Sequence, residues 1–203
     1  MNAMISLINE KVGNLINFKF DSKIIVQKNV ADYIETLCYD KVNELSNEDL
    51  VVSESLSVRS IEEIEIKLDN NLYKIDIKTH DTNKDFSKPN LISIDKVRKY
   101  LTVTTNHIIY IFIDYIIEKD IVAISNVTVK PIESLDWSYL AIQNLGKGQL
   151  QIKSVPEGIF FNENVTRKEW LDRLIKEGKD YYERLILKVS EYINNWGDET
   201  KWQ

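Results

Sequence analysis

The sequence predicts a mixed α/β fold, a central β-sheet flanked by helices, and three observations carry that expectation. Segments with the spacing of amphipathic helices alternate with segments of period two. One run, Ile108 to Ile113, is continuously apolar and rich in β-branched residues, as a strand covered on both faces requires. The 203 residues hold 43% hydrophobic side chains but only six Gly and three Pro, which excludes a disordered or fibrous chain. A chain of this length can bury a sizeable core, and one domain spanning residues 1–203 is expected.

The elements follow in order. From Asn29, a side chain suited to an N-cap, Val30, Tyr33, Ile34, Leu37, Cys38 and Val42 recur at helical spacing. Glu63 to Leu68 and Leu72 to Lys78 alternate around the turn-forming pair Asp69-Asn70 and read as a β-hairpin. With a two-residue turn, Ile66 faces Tyr73 and Ile64 faces Ile75, while Glu65 faces Lys74 and Glu63 faces Asp76 on the other side. Thr79 to Asn90 reads as a polar loop. Ser93 to Thr105 reads as a helix with Ile94, Val97, Tyr100 and Leu101 inward, followed by the central strand and a further strand at Ile121 to Val129. Leu135 to Leu145 is expected to be a short helix stopped at Gly146, and Gln149 to Lys153 a short strand. Thr166-Arg167-Lys168-Glu169 is a capping box opening a C-terminal helical part, 166–197, which Gly178 would break.

Composition removes several classes of function. Cys38 is the single cysteine, and the two histidines, His80 and His107, form no zinc cluster with it. A reducing cytoplasm fits that usage. The longest apolar run, Ile108 to Ile117, is interrupted by Asp114 and falls far short of the roughly 20 residues needed to span a bilayer. The N-terminus lacks the basic head and cleavage site of a signal peptide. The formal charge is -6, but it is unevenly spread. Residues 31–66 carry ten acids and two bases, a balance of -8, and residues 67–105 carry eight bases and five acids, a balance of +3. Partners respond to that distribution more than to the sum.

Asp76 and Lys78 stand two apart on a strand, so their side chains leave the same face about 7 Å apart. Glu63 across the hairpin adds a second carboxylate, and two acids with a backbone carbonyl suit hard, oxygen-preferring Mg²⁺. A neighbouring Lys can orient a water and offset charge on a phosphate. The spacing alone is common: D/E-x-K occurs at Asp21-Lys23, Glu65-Lys67, Asp76-Lys78, Glu177-Lys179 and Glu199-Lys201. Only Asp76-Lys78 lies on a strand with an acid opposite. A longer hairpin loop would substitute Glu65 for Glu63, and a structural cross-strand charge cluster is the competing reading.

The run Leu72 to Thr79, then Lys84 and Ser87-Lys88-Pro89-Asn90-Leu91-Ile92-Ser93, then Leu135-Asp136-Trp137 and Thr166 to Trp170, resembles the blunt-cutting type II restriction endonucleases of the PD-(D/E)xK superfamily, the HincII/EcoRV-like group. Four separated matches in order, over about half the chain, are more specific than one D-x-K. The resemblance implies a restriction-endonuclease-like fold and a homodimer that hydrolyses both strands of a short palindromic double-stranded DNA site. Mg²⁺ would be the cofactor, and the ends would be blunt with 5′-phosphates. It implies Glu63 and Asp76 as metal-binding acids, the carbonyl of Ile77 as a further ligand and Lys78 as the catalytic lysine. In the family the first acid is normally Asp, so Glu63 is a departure. Glu35 matches an acid near the site. Thr79, Lys84, Ser87, Lys88 and Asn90 match the loop that approaches DNA. Asp136 stands where the family has a base-contacting Asn; an acid can only accept, so base preference would differ. The other readings are a repair or mobile-element nuclease of the same superfamily, and a non-catalytic DNA-binding or interaction module.

Overall fold

The computed structural model describes residues 1–24, 29–54, 63–84, 89–143, 148–153 and 159–196. Helices α1 (Asn2–Gly13) and α2 (Val30–Asn43) are joined by the short strand β1 (Lys19–Asp21), and strand β2 (Leu50–Glu54) follows. The hairpin is β3 (Ile64–Leu68) and β4 (Asn71–Asp81), then come β5 (Asn90–Ser93), α3 (Ile94–Leu101), β6 (Asn106–Glu118) and β7 (Ile121–Pro131). Strands β8 (Leu140–Gln143) and β9 (Gln149–Ile152) precede the long helix α4 (Arg167–Trp196).

Among the described residues a six-stranded sheet runs in the order β1-β7-β6-β4-β3-β2, and a three-stranded sheet in the order β5-β9-β8. The large sheet is mixed: β4 and β6 are parallel, and its other neighbours are antiparallel. Parallel neighbours need a crossover, and the segment containing α3 supplies it. Alternation along β4 then divides the side chains between two cores. Tyr73, Ile75 and Ile77 face the core built on α1 and α2. The opposite face lies against the core of α3, α4 and the small sheet, to which Ile108, Tyr110 and Phe112 of β6 contribute. Covered on both faces, β6 must be apolar at consecutive positions.

The expected hairpin register is found, with Ile64 opposite Ile75, Glu65 opposite Lys74 and Ile66 opposite Tyr73. Asp69 takes a left-handed conformation (φ 51°), which an acid at a tight turn tolerates better than a branched residue does. Asn29 caps α2 as expected, its Oδ1 accepting from the Asp32 backbone N–H at 2.9 Å. Asn29→Ala should therefore cost about 1 kcal/mol of stability, read as a lower urea midpoint with an unchanged slope.

Four local readings are corrected. Segment 79–90 is not all loop: β4 continues to Asp81, with Thr79, His80 and Asp81 paired to Ile113, Asp114 and Tyr115. The helix expected over 93–105 ends at Leu101. The helix expected over 135–145 is instead a 3-10 turn at Trp137–Tyr139, capped by Asp136, followed by β8 paired with β9. The stop expected at Gly146 lies outside the described residues. Gly178 does not break α4, because it is buried where the helix passes α3: a Cβ there would meet the Ile94 side chain at 3.5 Å. The capping box is present, with Glu169 Oε2 accepting from Thr166 N–H at 2.8 Å and Thr166 Oγ1 from Glu169 N–H at 3.3 Å. Trp170 is fully buried and its Nε1–H donates to the Leu135 carbonyl at 3.0 Å.

Candidate active site

Glu63 stands at the mouth of the hairpin, just before β3, where its backbone N–H donates to the Ile75 carbonyl at 3.0 Å. Its carboxylate accepts a short hydrogen bond from the Ile77 N–H. That bond pins the side chain against the adjacent strand. Asp76 is buried on the face it shares with Lys74 and Lys78, beside Tyr110 of β6 in the parallel register. The Lys78 Nζ lies 2.7 Å from Asp76 Oδ2 and donates to the Ile77 carbonyl at 3.2 Å. An ammonium thus already sits on two of the three oxygens expected to hold a metal.

Both acids are held above the ordinary carboxylate range. Burial pushes Glu63 up to about 7, and the neighbouring Asp76 charge adds to the effect. Burial likewise raises Asp76 to about 6, opposed by the Lys78 charge and reinforced by Glu35. Two buried carboxylates this close resist being ionised together, and a cation is what relieves that cost.

Glu35 reaches the site from α2. With Glu63, Ile64 and Ile77 it lines a cleft of about 550 Å³, to which Asp32, Asp40 and Glu54 also contribute carboxylates. The residues lining this cleft include five acids and no base, a surface that favours cations and repels phosphates. Among the described residues no three His, Cys, Asp or Glu side chains form a ready-made metal set. The donors that do converge are two carboxylates and a backbone carbonyl, all oxygen. That set fits Mg²⁺, which keeps several waters and needs few protein ligands.

The residues expected to meet DNA are dispersed around this centre. Thr79 follows Lys78 on β4. Lys84 is exposed and pairs with Asp81 at 3.1 Å. Asn90 opens β5, its Oδ1 accepting from Gln151 Nε2 at 2.9 Å. The Asp136 carboxylate caps its 3-10 turn, accepting from Ser138 N–H at 2.8 Å and Ser138 Oγ–H at 2.6 Å. Those bonds hold Asp136 below the ordinary carboxylate range, so it is an ionised acceptor. Ser87 and Lys88 lie outside the described residues.

Two features of the site are not evident from the sequence. Beyond Lys78 on the same face of β4, His80 Nδ1 lies 3.2 Å from Asp114 Oδ1, and Asn126 Nδ2 donates to Asp114 Oδ2 at 3.1 Å. A bulge at Ser125 on β7 adjoins this row. The one available signal is Asp114 itself, an acid interrupting an apolar run. The second feature is Tyr110, whose fully buried hydroxyl finds no hydrogen-bond partner among the described residues. Burial first, then the charges of Asp76 and Glu63, keeps it protonated.

No family model and no curated protein matches the sequence. Among solved structures the chain is similar to NlaIV restriction endonuclease, with a TM-score of 0.48 and 10% identity over 87% of this chain and 78% of that one.

Proposed function

We propose that this chain is a Mg²⁺-dependent type II site-specific deoxyribonuclease that cuts both strands of a short palindromic duplex and leaves 5′-phosphates on blunt ends. The observation that carries the reading is the convergence of the Glu63 and Asp76 carboxylates with the Ile77 carbonyl, with Lys78 Nζ at 2.7 Å from Asp76 and 3.2 Å from that carbonyl. A solvated charge cluster would leave its acids near their ordinary values; here burial raises both.

Glu63, Asp76 and the Ile77 carbonyl would hold the metal. When bound, Mg²⁺ supplies Lewis-acid stabilisation of a phosphate oxygen and a more acidic water. Lys78 would orient the attacking water and offset the negative charge that grows on the phosphate. The Ile77 N–H, donating to the Glu63 carboxylate, fixes where that carboxylate stands at the edge of the cleft. Phosphates would be met outside the acidic centre, by the basic stretch containing Lys84 and Lys88, with Thr79, Ser87 and Asn90 contributing polar contacts. Asp136, as an acceptor only, would read an amino group of adenine or cytosine. A palindromic site has two-fold symmetry, so the enzyme would act as a homodimer.

The test is digestion of a sequenced plasmid in Mg²⁺ with the ends mapped. Discrete fragments with flush 5′-phosphate ends at one repeated palindrome are expected. Cutting governed by mismatches or branched structure would instead assign the chain to repair or mobile-element nucleases. Absence of any cutting would leave a non-catalytic module.

A further inference from the structure

We propose that two copies of this chain pair through the C-terminal half of α4, antiparallel and two-fold, with Trp196 of each copy entering a cleft beside α4 of the other. The pairing deepens the reading above, since a two-fold nuclease needs a two-fold contact, but its evidence is separate from the acids and Lys78.

The fully buried stripe of α4, Trp170, Leu174, Gly178 and Tyr181, ends halfway along the helix. The apolar residues do not end there. Tyr182, Ile186, Val189, Ile193 and Trp196 continue at intervals of four, three, four and three residues, the 3.5-residue period that a helix presents to another helix. They are exposed: Ile186 and Ile193 at 65% and Trp196 at 80%. Such a stripe on water is costly. At their partial exposures the five stripe residues offer on the order of 600 Å² per copy, so a pair would bury about 1,200 Å², the lower end of stable interfaces.

The period and the area call for a helix, and a second copy of α4 supplies one. Between Tyr182 and Trp196 the charged residues are Glu183, Arg184, Lys188 and Glu191, two of each sign, so two copies meet without net repulsion. The direction follows from a knob and a hole on the same chain. The knob is Trp196, at the C-terminal end of the stripe. The hole is a cleft of about 310 Å³ at the N-terminal end, lined by Ile94, Leu174, Ile175, Gly178 and Tyr182 together with the charged Asp95, Arg98 and Lys179. That volume equals roughly ten waters. Only an antiparallel pair brings the two ends together. Centred on Val189, the crossing places each Trp196 level with the partner's Tyr182, seven residues or about 10 Å from the axis. The contact is isologous and closes on itself.

Sedimentation equilibrium of the full chain, without DNA or Mg²⁺, is expected to give twice the 23.7 kDa chain mass at micromolar concentrations. Ile186→Glu, at a position exposed in the single chain, should leave the circular dichroism unchanged and weaken the dimer by at least about 100-fold. Two cysteine variants fix the direction. Val189→Cys should cross-link on oxidation because it lies on the axis, whereas Tyr182→Cys should not, its two copies being about 20 Å apart. Cys38 is buried, with its thiol pushed up by that burial, and does not compete. A chain that stays monomeric, a dimer that survives Ile186→Glu, or equal cross-linking at 182 and 189 would overturn the proposal. None of these readouts depends on nuclease activity, which can fail or stand on its own.

Discussion

Lys78→Ala is expected to lower Mg²⁺-dependent DNA cleavage by about 10³-fold while leaving DNA binding in Ca²⁺ intact. The argument starts from where the ammonium sits, 2.7 Å from Asp76 Oδ2 and 3.2 Å from the Ile77 carbonyl, on a strand held between two cores. Its backbone position is fixed by pairing with Phe112 on β6, so truncating the side chain removes a charge without moving the strand. A preorganised donor aimed at developing negative charge is worth about 10²–10³ in rate, and the half-buried Lys78 Nζ is placed as such a donor. Under the proposed function, binding would draw on phosphate contacts elsewhere, so it should survive. Supercoiled plasmid nicking in Mg²⁺ measures the first quantity, and a gel shift in Ca²⁺ measures the second. Cleavage by the variant at the rate of the unaltered chain would sink the assignment of Lys78 as the catalytic lysine.

The hairpin that carries the candidate acids is legible in the sequence because its turn residues and alternation set its register. A two-residue turn at Asp69-Asn70 pairs Ile64 with Ile75 and Glu65 with Lys74, and the structure has that register and not the longer loop that would have put Glu65 in the place of Glu63. What the pattern does not contain is the distance to which β4 runs. Thr79, His80 and Asp81 look like a loop because they are all polar. They hold as strand because β6 offers pairing along its whole length and Asp114 offers His80 a polar partner. Composition cannot show a partner that arrives from thirty residues away.

The segment at 135–143 misleads for a different reason. Leu135, Leu140 and Ile142 satisfy helical and strand spacing about equally over so short a stretch. Asp136 tips the outcome by capping a single 3-10 turn, after which β9 captures the chain as a sheet neighbour. Gly178 misleads because its helix-breaking tendency, about 1 kcal/mol, is small beside the burial of the helix face it belongs to, with Trp170, Leu174 and Tyr181. Helix α1 escapes a sequence reading since its N-cap is Met1 with no side-chain bond, leaving no start signal. In each case tertiary contact outweighs a local preference.

The metal-free protein is expected to lose stability as pH rises from 5 to 8, and Mg²⁺ is expected to restore it. Glu63 near 7 and Asp76 near 6 both stand above their ordinary values of 4.5 and 3.8, chiefly through burial. The folded chain therefore binds more protons than the unfolded chain between about pH 4 and pH 7. Their stabilising contribution is complete below that window and lost as pH climbs through it. Each pKa unit is worth about 1.4 kcal/mol, so either acid alone carries on the order of 3 kcal/mol, and Tm should fall by roughly 10 °C. Surface acids held low by their partners, such as Glu44 and Asp95, act below this range and do not blur it. Buried His107, lowered to about 4, works in the opposite direction up to its ordinary value of 6.5, and buried Glu133, raised by its burial, works in the same direction. The decisive quantity is thus the difference between the unaltered chain and Asp76→Asn. The variant should show a shallower pH slope and exceed the parent in Tm at pH 8, because it no longer ionises a second buried acid. It should also lose cleavage. Mg²⁺ at 100 times its dissociation constant should raise the stability of the parent by about 2.7 kcal/mol and that of Asp76→Asn by far less. Equal pH slopes, or an equal response to Mg²⁺, would mean that Asp76 neither shares its proton with Glu63 nor holds the metal, and a scanning calorimeter decides the matter without any DNA present.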